Sequence, residues 1–192
     1  MAIKTFTSGS VLTASDTNTY LNNGGLVYIT QGELTSSTAA LIFNDVFSST
    51  YDNYRIVIDR YRPVNTLQAL MMRLRVSGAD KAANYNYSQS GLYQDGSSTN
   101  NSSGAVAVNQ IDVLFNSLNI VALGSCVMDI MAPQKVERTF MTYQSIIYNS
   151  QYGNRNSYAV HQVEEQSTGF SLFAAAGNTT TLRCKVYGYR NS

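Results

Sequence analysis

From Leu26 onward, hydrophobic and polar residues alternate with a period of two, the signature of strands that bury one face. LVYITQ predicts a short strand and ALIFNDVF another. YRIVIDRY predicts a third, with Ile56 and Ile58 facing one way and Val57, Asp59 and Tyr61 the other. Pro63 and Asn65 then make a turn. In TLQALMMRLRVSG, Leu70, Met72, Leu74 and Val76 form one stripe, and Arg73 and Arg75 occupy the opposite face as a hydrogen-bonding surface or subunit contact.

NYNYSQSGLYQDGSSTNNSSG places Tyr85, Tyr87 and Tyr93 among Ser and Asn, which predicts an edge strand or projecting hairpin. The almost purely polar stretch from Asp95 to Gly104 predicts a loop. VAVNQIDVLF, NIVALGSCVMDIMA, RTFMTYQSIIY, NSYAVHQVEE, GFSLFAAAG and TTTLRCKVYGYRNS follow as further strands, most of them separated by Gly, Asn, Pro or Ser. Nine or ten strands without an amphipathic crossover helix predict an all-β fold over residues 26–192. It is an antiparallel β-sandwich, jelly-roll-like, with four or five strands in each sheet. The terminal CKVYGYR sets Tyr187 and Tyr189 opposite Cys184 and Val186.

Residues 1–25 follow a different pattern. In LTASDTNTYLNNGG, Thr13 can cap a helix of two to three turns, Asp16 sits three residues later, and Gly24 and Gly25 supply the stop. A helix this short needs a surface to pack on. With Ile3 and Phe6 as anchors, the segment is expected to be an arm that docks onto a partner or a neighbouring subunit.

Composition narrows the function. Charged residues are only 13% of the 192, roughly half the usual share, while Ser, Thr, Asn and Gln make up about a third. A formal charge of +1 offers no long-range field to gather nucleic acid or an anionic membrane. No apolar run reaches the roughly 18 residues of a membrane span, and MAIKTFTSGS lacks the hydrophobic region of a secretory signal. A chain without membrane insertion, outside the ordinary secretory route, is therefore expected. Cys126 and Cys184 share stripes with apolar neighbours, as buried small hydrophobes or as a mutual disulfide.

The single histidine, His161, cannot form a two-histidine metal site within one chain, and no nucleophile elbow, phosphate-binding loop or dinucleotide fingerprint occurs. No cofactor and no metal site are expected. A polysaccharide depolymerase would need a convergent carboxylate pair from Asp45, Asp59, Asp112, Asp129, Glu137 and Glu164, none of which stands in a diagnostic motif.

The opening AIKTFTSGSVLTASDTNTYLNNGGLVYIT resembles the N-terminal segment of virion tail and tail-fibre proteins of tailed bacteriophages, in which an FTSGxxLTAxxxNTYLxNxG pattern precedes the body. DVFSSTYDNYRIVIDRYR, LMMRLRVSG, NYNY and RCKVYGYRN are similar to small β-sandwich domains in such proteins, including cyanophage ones. The resemblance implies attachment to other virion proteins through Phe6, Leu12, Thr13, Asn18, Tyr20 and Leu21, beside the anchor Ile3 read from the arm itself, a homotrimeric body and a place on the virion after assembly in the host cytoplasm. It supplies no catalytic residue.

Fourteen tyrosines and many amides suit glycan contact as well as subunit packing. The expected function is non-enzymatic: a tail-fibre or tail-tip component that recognises a host-surface glycan. Alternatives are a capsid decoration or fibre adaptor without receptor binding and, behind these, a depolymerase. The predicted glycan contacts lie in two projecting loops: Tyr87, Tyr93, Gln94 and Asp95 in the first, and Tyr152, Asn154 and Arg155 in the second, with Arg155 available to an acidic sugar.

Overall fold

A computed structural model describes residues 7–11, 13–16, 25–65, 68–94, 98–117, 123–148 and 152–191. The strands are β1 (Leu26–Leu34), β2 (Ala40–Phe43), β3 (Asn53–Pro63), β4 (Gln68–Val76), β5 (Ala79–Asp80), β6 (Tyr85–Gln94) and β7 (Ser98–Val108). They continue as β8 (Ile111–Ser117), β9 (Leu123–Met131), β10 (Thr139–Tyr148), β11 (Tyr152–His161), β12 (Gly169–Ala174) and β13 (Thr179–Tyr189). Each strand pairing described is antiparallel.

The two sheets are unequal, where four or five strands each were expected. One has eight strands in the order β1-β13-β3-β9-β10-β11-β6-β7, and the other has five, β2-β12-β4-β5 with β8 on β4. Part of the excess arises because Ser98–Val108, predicted to be largely loop, pairs along β6 as the edge strand β7. An edge strand needs ladder hydrogen bonds but little apolar content, so Ser and Asn suffice there.

Between the sheets, Ile56, Cys126, Met128, Met141, Cys184 and Val186 of the large sheet meet Leu70, Met72, Leu74, Ile111, Phe170 and Leu172 of the small one in one core cluster. Phe43 stacks on Phe170 with ring centroids 4.7 Å apart, and Phe47 joins Phe170 at 5.8 Å and Tyr54 at 4.7 Å. Both cysteines are buried and free. Ile58 of β3 pairs with both, so they lie two strand spacings apart, roughly 9–10 Å, too far for a disulfide.

Tyr61 is buried with Ile56 and Ile58, against simple alternation. The cause is a β-bulge: Cys184 pairs with Ile58 and Arg183 with Arg60, so Asp59 is an extra residue that reverses the alternation after it. Asp59 accepts from Arg183 Nε at 2.7 and 2.8 Å, on the outer side of the sheet.

The two- to three-turn N-terminal helix is not seen. Among the described residues only Ala14–Asp16 is helical. One turn fixes several dihedrals for almost no hydrogen bonds, and residues 17–24, over which the helix was expected to continue, lie outside the described residues. Thr13 is exposed, whereas Ile3, Phe6, Leu12, Asn18, Tyr20 and Leu21 lie outside the described residues.

Candidate functional site: the outer face of the large sheet

Alternation sends every second side chain of the eight-stranded sheet away from the core, and the strand registers sort these into cross-strand rows. One row runs Tyr187, Arg55, Asp129, Thr142, Tyr158, Ser88 from β13 to β6. The next runs Val57, Val127, Gln144, Asn156, Ser90. On either side lie the row Met131, Phe140, Val160, Asn86 and the row Ser125, Ile146, Asn154, Leu92.

The inner parts of the two central rows, Arg55 to Tyr158 and Val127 to Ser90, line a groove of about 710 Å³. Its middle and one end, Ser90, Thr142, Gln144, Asn156 and Tyr158, carry hydroxyls, amides and one phenol but no charge. Tyr158 is 63% exposed, and beyond it lies a smaller apolar depression of about 300 Å³ that includes Phe140, Val106 and Val160. One ring therefore borders a polar trough on one side and an apolar surface on the other.

At the other end Arg55 clamps Asp129: Nε donates to Oδ1 at 2.8 Å and Nη2 to Oδ2 at 2.7 Å. Tyr189 Oη also donates to Asp129 Oδ1, at 2.7 Å, while the Arg55 guanidinium lies 5.4 Å from the Tyr189 ring centroid. Partial burial raises the Asp129 pKa, but the bonds from Arg55 and Tyr189 outweigh it and hold the carboxyl below its ordinary value. The Tyr189 phenol is pushed up to about 12 by burial and by its bond to the carboxylate.

The described residues of the two segments predicted as projecting loops lie in paired strands. Leu92 faces Asn154, Gly91 faces Arg155 and Tyr93 faces Gly153 along β6 and β11. Gly91 is required by this pairing, since a Cβ there would stand 1.9 Å from the Asn154 carbonyl oxygen. Tyr152 pairs with Tyr148, and Gln94 with Ser98. Nothing further is described for the side chains of Tyr93, Gln94 and Tyr152, and Asp95 lies outside the described residues.

Of the predicted glycan contacts, only Asn154 has a described side chain exposed on the outer face. Tyr87 packs against the core. Arg155 turns inward, where Nη1 donates to Gln89 Oε1 at 2.6 Å and lies 3.7 Å from Asp112 Oδ2. Gln89 Nε2 and Tyr143 Oη both donate to the Asp112 carbonyl, at 2.6 and 2.8 Å, so this polar cluster ties β8 of the small sheet to three strands of the large one. Burial lifts the Asp112 carboxyl to about 6, against the pull of Arg155. An inward arginine with these partners is not the outward acidic-sugar contact that was expected.

Sequence reasoning passed over Arg55, Thr142, Gln144, Asn156 and Tyr158, and considered Asp129 only as a depolymerase carboxylate, because it sought glycan contacts in loops. The available signal was the aromatic and amide content of the solvent-side positions in RTFMTYQSIIY and NSYAVHQV. Among the described residues no cluster of three or more His, Cys, Asp or Glu could hold a metal, and no helix is long and apolar enough to cross a membrane. No protein-family model, curated protein or solved structure matches the chain.

Proposed function

We propose that this chain is a non-enzymatic structural component of a tailed-phage virion, a tail-fibre or tail-tip protein whose outer sheet face recognises host-surface glycans. The observation that carries recognition is the groove of about 710 Å³ lined by Ser90, Thr142, Gln144, Asn156 and Tyr158. Amides and hydroxyls can exchange paired hydrogen bonds with sugar hydroxyls, and an exposed phenol ring offers a flat apolar surface to a sugar face. Strand-borne side chains also hold such a constellation more precisely than loops do.

The virion assignment draws on the resemblance of the opening segment, through which the arm would engage other virion proteins, and a homotrimer follows from the same resemblance. A non-catalytic role is supported by the carboxylates that have arginine partners: Asp129 is held by Arg55, Asp59 by Arg183, and Asp112 faces Arg155 inside the sandwich. The test is binding of the intact chain to bacterial cells and to a panel of bacterial surface glycans, beside a Tyr158→Ala variant of unchanged melting temperature. Binding that falls with the variant supports recognition at this face.

A second reading, adaptor or capsid decoration, is favoured by the rows flanking the groove, where Phe140 is 53% and Ile146 60% exposed. Such rings and aliphatic chains suit contact with another protein. A chain that decorates particles but binds neither cells nor glycans would establish this second role. Light scattering, with a mass near three chains expected, separates a self-assembled trimer from a monomer arranged by its partner.

A further inference from the structure

We propose, on the basis of the glycan reading above, that the groove selects uncharged sugars: Asp129 Oδ2 accepts a sugar hydroxyl while the Tyr158 ring covers the sugar's apolar face. Asp129 and Tyr158 lie in one cross-strand row, on β9 and β11 with Thr142 of β10 between them. Two strand spacings separate them by roughly 9–10 Å, room for one sugar ring between carboxylate and phenol.

Among the described residues, hydrogen-bond accounting leaves Asp129 an acceptor site. An ionised carboxylate has about four lone-pair sites. Oδ1 accepts from Arg55 Nε and Tyr189 Oη, and Oδ2 accepts from Arg55 Nη2, which uses three. The remaining site on Oδ2 belongs to a carboxylate that its arginine and tyrosine hold ionised. Thr142, the next residue in the row, can donate to or accept from the same sugar.

Charge supplies the selection. Arg55 is matched by Asp129; outside the lining, Arg183 is bonded to Asp59, and Lys185 lies 3.7 Å from the same carboxylate. Between β10 and β6 the groove lining carries no charge. An acidic sugar would bring its carboxylate beside Asp129 with no uncommitted cation among the described lining residues to receive it. A neutral sugar meets only donors and acceptors.

The test measures the intact chain against immobilised neutral hexose oligosaccharides and uronic-acid-containing ones, at low and high salt. Neutral glycans are expected to bind, with little salt dependence because no ion pair forms across the interface. Asp129→Asn, which frees Arg55, is expected to weaken neutral binding roughly tenfold, the loss of one charge-assisted hydrogen bond, and to create salt-sensitive binding of the acidic glycans. Salt-sensitive preference for acidic glycans in the unaltered chain would overturn the neutral selection while leaving glycan recognition standing. Failure of both panels would overturn recognition itself and the selection with it.

Discussion

Arg55 and Asp129 face each other across β3 and β9 and join at two points, Nε to Oδ1 at 2.8 Å and Nη2 to Oδ2 at 2.7 Å. Because the pair is partly solvated, its contribution to stability is modest, about 0.5–1 kcal/mol after solvent screening. Asp129 titrates below its ordinary value. Its share of stability is therefore present above the unfolded pKa of about 4 and is lost as pH falls through the folded value. Arg55→Ala is expected to lower the denaturation midpoint slightly at neutral pH, with the difference shrinking at high salt and under acid.

Asp112 has the opposite sign. Its folded pKa of about 6 lies above that of the unfolded chain, so the folded state binds more protons between about pH 4 and 6, and stability falls as pH rises through that window. The full displacement corresponds to roughly 3 kcal/mol. His161, whose pKa burial depresses, acts in the other direction nearby. The informative quantity is thus the stability difference between Asp112→Asn and the unaltered chain. Denaturant titrations from pH 4 to 7 should show the variant gaining on the unaltered chain as pH rises.

Gly91→Ala is expected to destabilise the pairing of β6 with β11, two of the strands whose residues line the groove. Its Cβ would collide with the backbone of β11 and push the two strands apart, at a cost of about 1–3 kcal/mol. Thermal melting should fall by several degrees, with the β-sheet circular dichroism below the transition retained.

The thiols of Cys126 and Cys184 should be inert. Burial raises both pKa values, and the ladder geometry keeps the sulfurs from joining. A thiol reagent should find neither in the folded chain and both after denaturation, and mild oxidation should not produce an internal disulfide.

Much of the sandwich is legible in the alternation. Leu70, Met72 and Leu74 face the core as their spacing requires, as do Cys126, Met128 and Ile130. Tyr61 was misplaced because a bulge at Asp59 depends on how β13 pairs, a long-range register that a single strand does not encode. The polar run after Asp95 looked like a loop because composition reports burial, and an edge strand has little. For the site, alternation marks Thr142, Gln144, Asn156 and Tyr158 as outward, but their assembly into one groove depends on the order β9-β10-β11-β6, which joins residues more than 60 positions apart.

The most direct test of the central claim, that the outer sheet face is the recognition surface, compares glycan and cell binding of the unaltered chain with Tyr158→Ala and Gln144→Ala, each matched in melting temperature and oligomeric mass. The expected result is binding by the unaltered chain that both substitutions weaken roughly tenfold, as befits central contacts in a small site. Binding untouched by either substitution would contradict it and place recognition elsewhere on the molecule.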